Sequence, residues 1–480
     1  MASTALVAER AIPHQPTARA IDREFHGQLL SRAFPQTFGP APEPVAPSSE
    51  AAPHASEPPP AVVSAPRLAP APSIYLALAP EPQAATDAAP LQFAAPAPRA
   101  AARSDSGARR AATTASAAIS EAWAQGSVRS VRFDAGYYYG SGKSVQQLAN
   151  DLTASWAQRG VNLVYYYAYN RVYGARYRTN YPGNIMEDYG RQDLLRYVLD
   201  AAHGRGIKVV AWFYGPQHKQ MWETHSAWRE KTASGRDYRS TSDSYYLCVR
   251  NPEVQNWWLG FIEDVLIGYP DLDGVDISEA QVDSWGDDAC FCKACRAQYS
   301  QEYPRRRMSI DTWRQFRANG LTRLLTGTNH LVKSHGKQAH ITTVFTARAD
   351  GALMPASVVR DATGFDLDAI LSSADRPDVI QAEVIWQQWA ATYSDHVTFT
   401  PDWTHQAVLQ AKNMVAGRSA LTAHLEVTDF GAGGLSGPQI GTTVAAAVAG
   451  DPYGVDIYDA FMIDQTEGAT SYLQTAWLNF

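Results

Sequence analysis

From residue 128 onward, short apolar runs alternate with stretches of helical period. The runs predict strands at Val131–Ala135, Val161–Ala168, Ile207–Phe213, Leu272–Ile277, Ala339–Phe345, Val379–Ile385, Ala420–Val427 and Val455–Phe461. Between them the apolar positions recur every three or four residues. Val145, Leu148, Ala149, Leu152 and Trp156 share one helical face, and so do Val254, Trp257, Trp258, Phe261, Ile262, Val265 and Leu266. Asn251-Pro252 supplies an N-cap followed by proline at the first helical position. Ser309 and Thr404 are predicted caps of later helices, and Pro438 opens a small-residue helix through Ala449. Strands alternating with helices imply a parallel sheet joined by crossover helices, and eight strands is the number that closes a (β/α)8 barrel. The alternative, an open doubly wound sheet, calls for a Gly-rich phosphate turn after the first strand. Phe133-Asp134-Ala135-Gly136-Tyr137-Tyr138-Tyr139 is not such a turn.

Composition divides the chain in two. Residues 1–127 are dominated by Ala and Pro and read as a disordered arm, because such a segment cannot offset its ordering entropy by burying a core. Residues 128–480 read as one catalytic domain. Arg109-Arg110 and the stretch after it, within about 105–125, resemble an internal export signal, so export is favoured slightly over the cytoplasm. The formal net charge is −7, and the only basic run is Arg305-Arg306-Arg307, so nucleic acid is not an expected partner. No run of 18 apolar residues exists to span a membrane.

Acidic residues collect where the predicted strands end, which in these barrels is where chemistry sits. Asp276 lies inside strand four and Glu279 just past it; Glu383 shares one face of strand six with Gln381 and Ile385; Glu426 shares the polar face of strand seven with Thr422 and His424. A carboxylate within an apolar strand is costly unless paired, so each alone could serve a structural network. Together they suit glycosidic cleavage, which needs one acid to protonate the leaving oxygen and another to attack carbon or activate water. Aromatic residues at or beyond strand ends, namely Tyr138, Tyr169, Trp212, Tyr214, Trp285 and Trp386, would stack on sugar rings. Asp134 and His424 would bond their hydroxyls. No cofactor is expected for catalysis.

All four cysteines fall in one region: Cys248, then Cys290, Cys292 and Cys295 as Cys-x-Cys-x-x-Cys. Four thiolates can close a tetrahedral structural zinc site; disulfides and free thiols are the competing readings.

Asp273-Gly274-Val275-Asp276-x-x-Glu279 followed by Cys290-Phe291-Cys292-Lys293-Ala294-Cys295-Arg296 resembles bacterial glycoside hydrolase-like (β/α)8 barrels. These are related to clan A β-galactosidases and α-L-fucosidase-like enzymes. Cys248-Val249-Arg250-Asn251-Pro252-Glu253-Val254 and the opening Phe133-Asp134-Ala135-Gly136-Tyr137-Tyr138 share in the resemblance, which covers roughly 128–480. The clan A pattern implies Glu279 as acid/base and Glu426 as nucleophile, although Ser278 stands where the clan usually has Asn. The fucosidase-like pattern implies Asp276 as nucleophile, with Glu383 or Glu426 available as acid/base. The expected activity is a retaining glycoside hydrolase acting on an oligo- or polysaccharide. The rival from another class is an inactive barrel that binds polysaccharide or a protein partner.

Overall fold

A computed structural model describes residues 127–478 and 480, apart from 241–243, 284–287, 305–307 and 430–432. The expected disordered arm and export signal, the Arg305–Arg307 run and Trp285 lie outside the described residues.

Eight strands form a closed parallel barrel: β1 (Val128–Phe133), β2 (Leu163–Asn170), β3 (Lys208–Tyr214), β4 (Gly274–Ser278), β5 (Gln338–Val344), β6 (Val379–Glu383), β7 (Ala420–Glu426) and β8 (Gly454–Tyr458). Each pairs in parallel with the next, and β1 pairs with both β2 and β8 to complete the ring. The helices that return the chain are α1 (Val145–Gln158), α2 (Leu194–His203), α3 (Pro252–Gly268), α4 (Lys293–Glu302), α5 (Ile310–Ser334), α6 (Leu367–Ser372), α7 (Trp403–Val415), α8 (Gly437–Ala449) and α9 (Ala469–Trp477). They cover the outer face of the barrel, so both faces of nearly every strand are buried.

The helix signals act as read. Leu148, Ala149, Leu152 and Trp156 of α1 are buried, as are all seven apolar positions of the α3 stripe. The Asn251 side chain accepts from the Glu253 amide, and Ser309 forms a capping box with Thr312. Every strand is offset from its expected span by one to three residues at one or both ends, and three boundaries have a local cause. Helix α7 begins at Trp403 with Asp402 as N-cap, not at a Thr404 cap; the chain is already turning, since Trp403 and Thr404 donate to the carbonyls of Thr400 and Pro401. Strand β6 stops at Glu383 because Trp386–Tyr393 is helical. Strand β8 stops at Tyr458 because the Asp459 carboxylate caps Ala460–Gln465, accepting from the Met462 amide at 2.9 Å.

Candidate active site

The barrel interior is polar at the level of Arg132. On β1, Ser130 and Arg132 alternate with Val131 and Phe133, which pack outward against the helices. The Arg132 guanidinium is 1% exposed and meets carboxylates from two strands four positions apart in the ring. Nη2 donates to Asp276 on β4 at 3.1 Å, and Nε donates to Asp456 on β8 at 2.9 Å. Thr342 on β5 donates to Asp276 at 2.9 Å, and Gln381 on β6 directs its amide N–H to Asp456 at 3.1 Å. His424 on β7 reaches Asp456 with Nδ1 at 2.6 Å. Burial pushes Asp456 up, but Arg132 and His424 outweigh it and hold the carboxyl below its usual range. For Asp276 burial outweighs Arg132 and Thr342, and the carboxyl is pushed up. Burial, then the Arg132 charge, hold His424 below the ordinary histidine range despite Asp456. Cation–π contacts from Arg132 to Trp212 (4.5 Å) and Tyr165 (5.0 Å) complete this floor.

The three glutamates stand at the strand ends. Glu279 follows β4 with φ +49, a left-handed conformation uncommon for a residue with a Cβ. Its amide donates to the Thr342 carbonyl at 2.9 Å, and the Tyr214 hydroxyl at the end of β3 donates to its carboxylate at 2.5 Å. Glu383 is in register with His424, and His424 with Asp456; Glu426 is in register with Tyr458. Glu426 is partly exposed and Glu383 is buried. Asp276 is fully buried among Arg132 and Thr342, below the strand ends.

The aromatic and polar candidates divide. Trp212 faces the interior, stacked on Tyr167 at 4.1 Å and edge-on to Tyr458. Tyr138 donates to Asp464 at 2.9 Å, and Asp134 pairs with Arg176 and caps the short turn at Gly136. Two lie away from the interior. Tyr169 stacks on His218 and packs edge-on to Phe261 of α3 in the outer layer, because the β2–β3 register shifts between Tyr167 and Tyr169. Trp386 is buried in the same outer layer, its indole N–H donating to Thr443 of α8 at 3.1 Å, because the chain has already entered a helix there. Sequence reading passed over Arg132 and Asp456. The available signal was a repeat: Gly-Val-Asp-Ile occurs at 274–277 and again at 454–457.

Beside the interior, the four cysteines converge. Their sulfurs all lie within 4.8 Å of one another, with Cys248 Sγ 3.6 Å from Cys292 Sγ and 3.4 Å from Cys295 Sγ, and every one is buried. Tetrahedral zinc with Zn–S of about 2.3 Å places sulfurs about 3.8 Å apart, so the set fits that ion. The Lys231 amide donates to Cys290 Sγ at 3.3 Å, and the Cys295 amide to Cys292 Sγ at 3.4 Å, where Cys292 caps α4. Amides aimed at sulfur are what negatively charged thiolates require. The cluster ties the loop leading into α3 to the segment that follows Glu279.

Residues 162–352 match the family described as Glycosyl hydrolase-like 10. Over 108 residues the chain is 34% identical to Glycosyl hydrolase DigH of Escherichia coli (strain K12); this covers 20% of the chain and 24% of that protein. The match thus spans about a quarter of the relative's length. Among solved structures the chain is similar to the PgaB (BpsB) glycoside hydrolase domain from Bordetella bronchiseptica, with a TM-score of 0.54 at 12% identity, covering 73% of this chain and 99% of that one. It is also similar to the β-galactosidase from the psychrophilic Marinomonas ef1, with a TM-score of 0.52 at 10% identity, covering 73% of this chain and 59% of that one. At such identities the structural likeness shows the fold. The resemblance to glycoside hydrolase-like barrels read from the sequence holds. Among the described residues no helix is long and apolar enough to cross a membrane.

Proposed function

We propose that this glycoside hydrolase-type barrel cleaves a glycosidic bond of an oligo- or polysaccharide, with Glu279 as general acid then base and Glu426 as nucleophile. The observation that carries the reading is the strand-four end, where Glu279 takes a left-handed backbone and accepts the Tyr214 hydroxyl above a floor whose cation is bonded to Asp276 and Asp456. In this scheme Glu279 gives its proton to the leaving oxygen while Glu426 attacks the anomeric carbon; Glu279 then takes a proton from a water that attacks the same carbon, breaking its bond to Glu426 and releasing the sugar. Tyr214 orients the Glu279 carboxylate. Asp276, enclosed beneath, is assigned to the floor and not to attack. Glu383 and His424 hold sugar hydroxyls, and Trp212 is the interior aromatic wall.

The test is hydrolysis of a panel of aryl glycosides and bacterial exopolysaccharides by the full chain. Glu279→Gln and Glu426→Gln should each lower turnover roughly 10²–10⁴-fold. Full activity in either variant overturns the assignment, and the anomer first released decides retention. Ser278, at the position where clan A carries Asn, favours a second reading of binding without turnover. Sugar binding unchanged in both variants, with no cleavage, would support it.

The four cysteines are assigned a structural zinc that fastens the segment after Glu279. Metal analysis should give one zinc per chain, lost in Cys248→Ser together with thermal stability. Metal-free protein with two disulfides, or with four titratable thiols and unchanged stability, would overturn this.

A further inference from the structure

The two-carboxylate scheme makes no use of how His424 is held. Its Nδ1 lies 2.6 Å from Asp456 Oδ2 and 3.3 Å from Arg132 Nε. A ring nitrogen and a carboxylate oxygen at 2.6 Å need a proton between them. The Arg132 Nε–H cannot supply it, because that N–H has its shorter, anionic contact with Asp456 at 2.9 Å. The proton is therefore the ring's own, and Nδ1–H donates to Asp456. A neutral imidazole with its hydrogen on Nδ1 carries a bare lone pair on Nε2. The charged groups around the ring are Arg132 from β1, Asp456 from β8, Glu279 from the end of β4 and Glu383 in register on β6. No described residue hydrogen-bonds Nε2.

Resting on the hydrolase reading above, we infer that His424 is a specificity-determining residue whose Nε2 accepts a hydrogen bond from a free hydroxyl or amine N–H on the sugar ring at the cleavage point. Asp456 is its positioning residue, fixing the tautomer. A site built as an acceptor demands a donor there. A deoxy, O-methylated or O-acylated sugar at that position leaves the lone pair desolvated and unmet.

The first test needs no substrate. Full-length protein labelled with ¹⁵N-histidine should show His424, assigned by its disappearance in His424→Gln, with a protonated Nδ1 and an unprotonated Nε2. Asp456→Asn, whose amide donates to Nδ1, should invert that pattern. A wild-type ring protonated at Nε2 overturns the inference and leaves the hydrolase reading intact. The second test compares parent and monodeoxy sugars. At one ring position wild type should prefer the parent roughly 10- to 100-fold in kcat/KM, and His424→Phe should lose that preference. If no panel member is cleaved, the hydrolase reading falls on its own, and the same sugar pairs compared by titration calorimetry still decide the inference. A preference that His424→Phe leaves unchanged, or no preference at any position, overturns it.

Discussion

Replacing Arg132 by Met keeps much of the side chain's bulk and removes the cation that Asp276 and Asp456 share. All three groups are 1% exposed or less, so water cannot take over the lost role. Removing one partner of such a buried set costs about 3–5 kcal/mol, because the remaining charges stay enclosed. For a barrel of about 350 residues, an unfolding entropy near 2.1 cal/mol/K per residue gives about 0.74 kcal/mol/K, so the midpoint should fall about 4–7 °C. The assay is thermal unfolding followed by circular dichroism at pH 7, with reversibility checked by rescanning. One further variant and one change of pH separate charge from packing. Arg132→Met combined with Asp276→Asn and Asp456→Asn should recover at least half the loss, because no uncompensated charge remains. The single variant should also lose less at pH 4, where protonation discharges the aspartates. A midpoint within about 1 °C of wild type for Arg132→Met, or a triple variant less stable than the single one, would refute the reasoning.

Burial holds His218 and His340 neutral, each at about 3 against an ordinary value of 6.5. Their neutral forms stabilise the fold fully above about pH 6.5, and that contribution is lost as pH falls toward 3; from pH 6.5 to 5 each loses about 2 kcal/mol. Guanidinium unfolding should therefore show a drop over this window that His218→Gln and His340→Gln each reduce; an unchanged slope in both would refute it. Gly215→Ala should act on the site, because a Cβ there would lie 2.7 Å from Ala280 Cα and 3.2 Å from the Glu279 carbonyl. Moving the end of β4 should lower kcat about tenfold or more with a small fall in midpoint; an unchanged kcat would show that the strand end does not hold Glu279.

The barrel was legible because its signals are local. Each strand is an apolar run, and each helix shows its stripe and often its cap, as Asn251-Pro252 and Ser309 do. The acids near the strand ends were legible for the same reason: Glu279 follows its apolar run, and Glu383 and Glu426 sit near the ends of theirs. Asp276 and His424 were legible, but the contacts that join them to Arg132 and Asp456 were hidden because the partners are distant in sequence. Nothing in Val-Arg-Ser-Val-Arg-Phe names a partner for Arg132, which contacts residues 144 and 324 positions away. Tyr169 shows the limit of counting by twos: one irregularity in register moves a side chain to the opposite face. Trp386 shows another, since a residue just past a strand belongs to whichever element begins there.

The charged floor also bears on how the ring closes. A wall of Val and Ile would fit nearly as well if one strand slid by two residues, since the same faces would still point inward. Arg132 admits no such slip. It must meet Asp276 on one side and Asp456 on the far side at once, and a shifted β4 or β8 would strand an ion in the interior. Three polar residues thereby act as a registration lock, selecting one shear among closures that the aliphatic positions would tolerate.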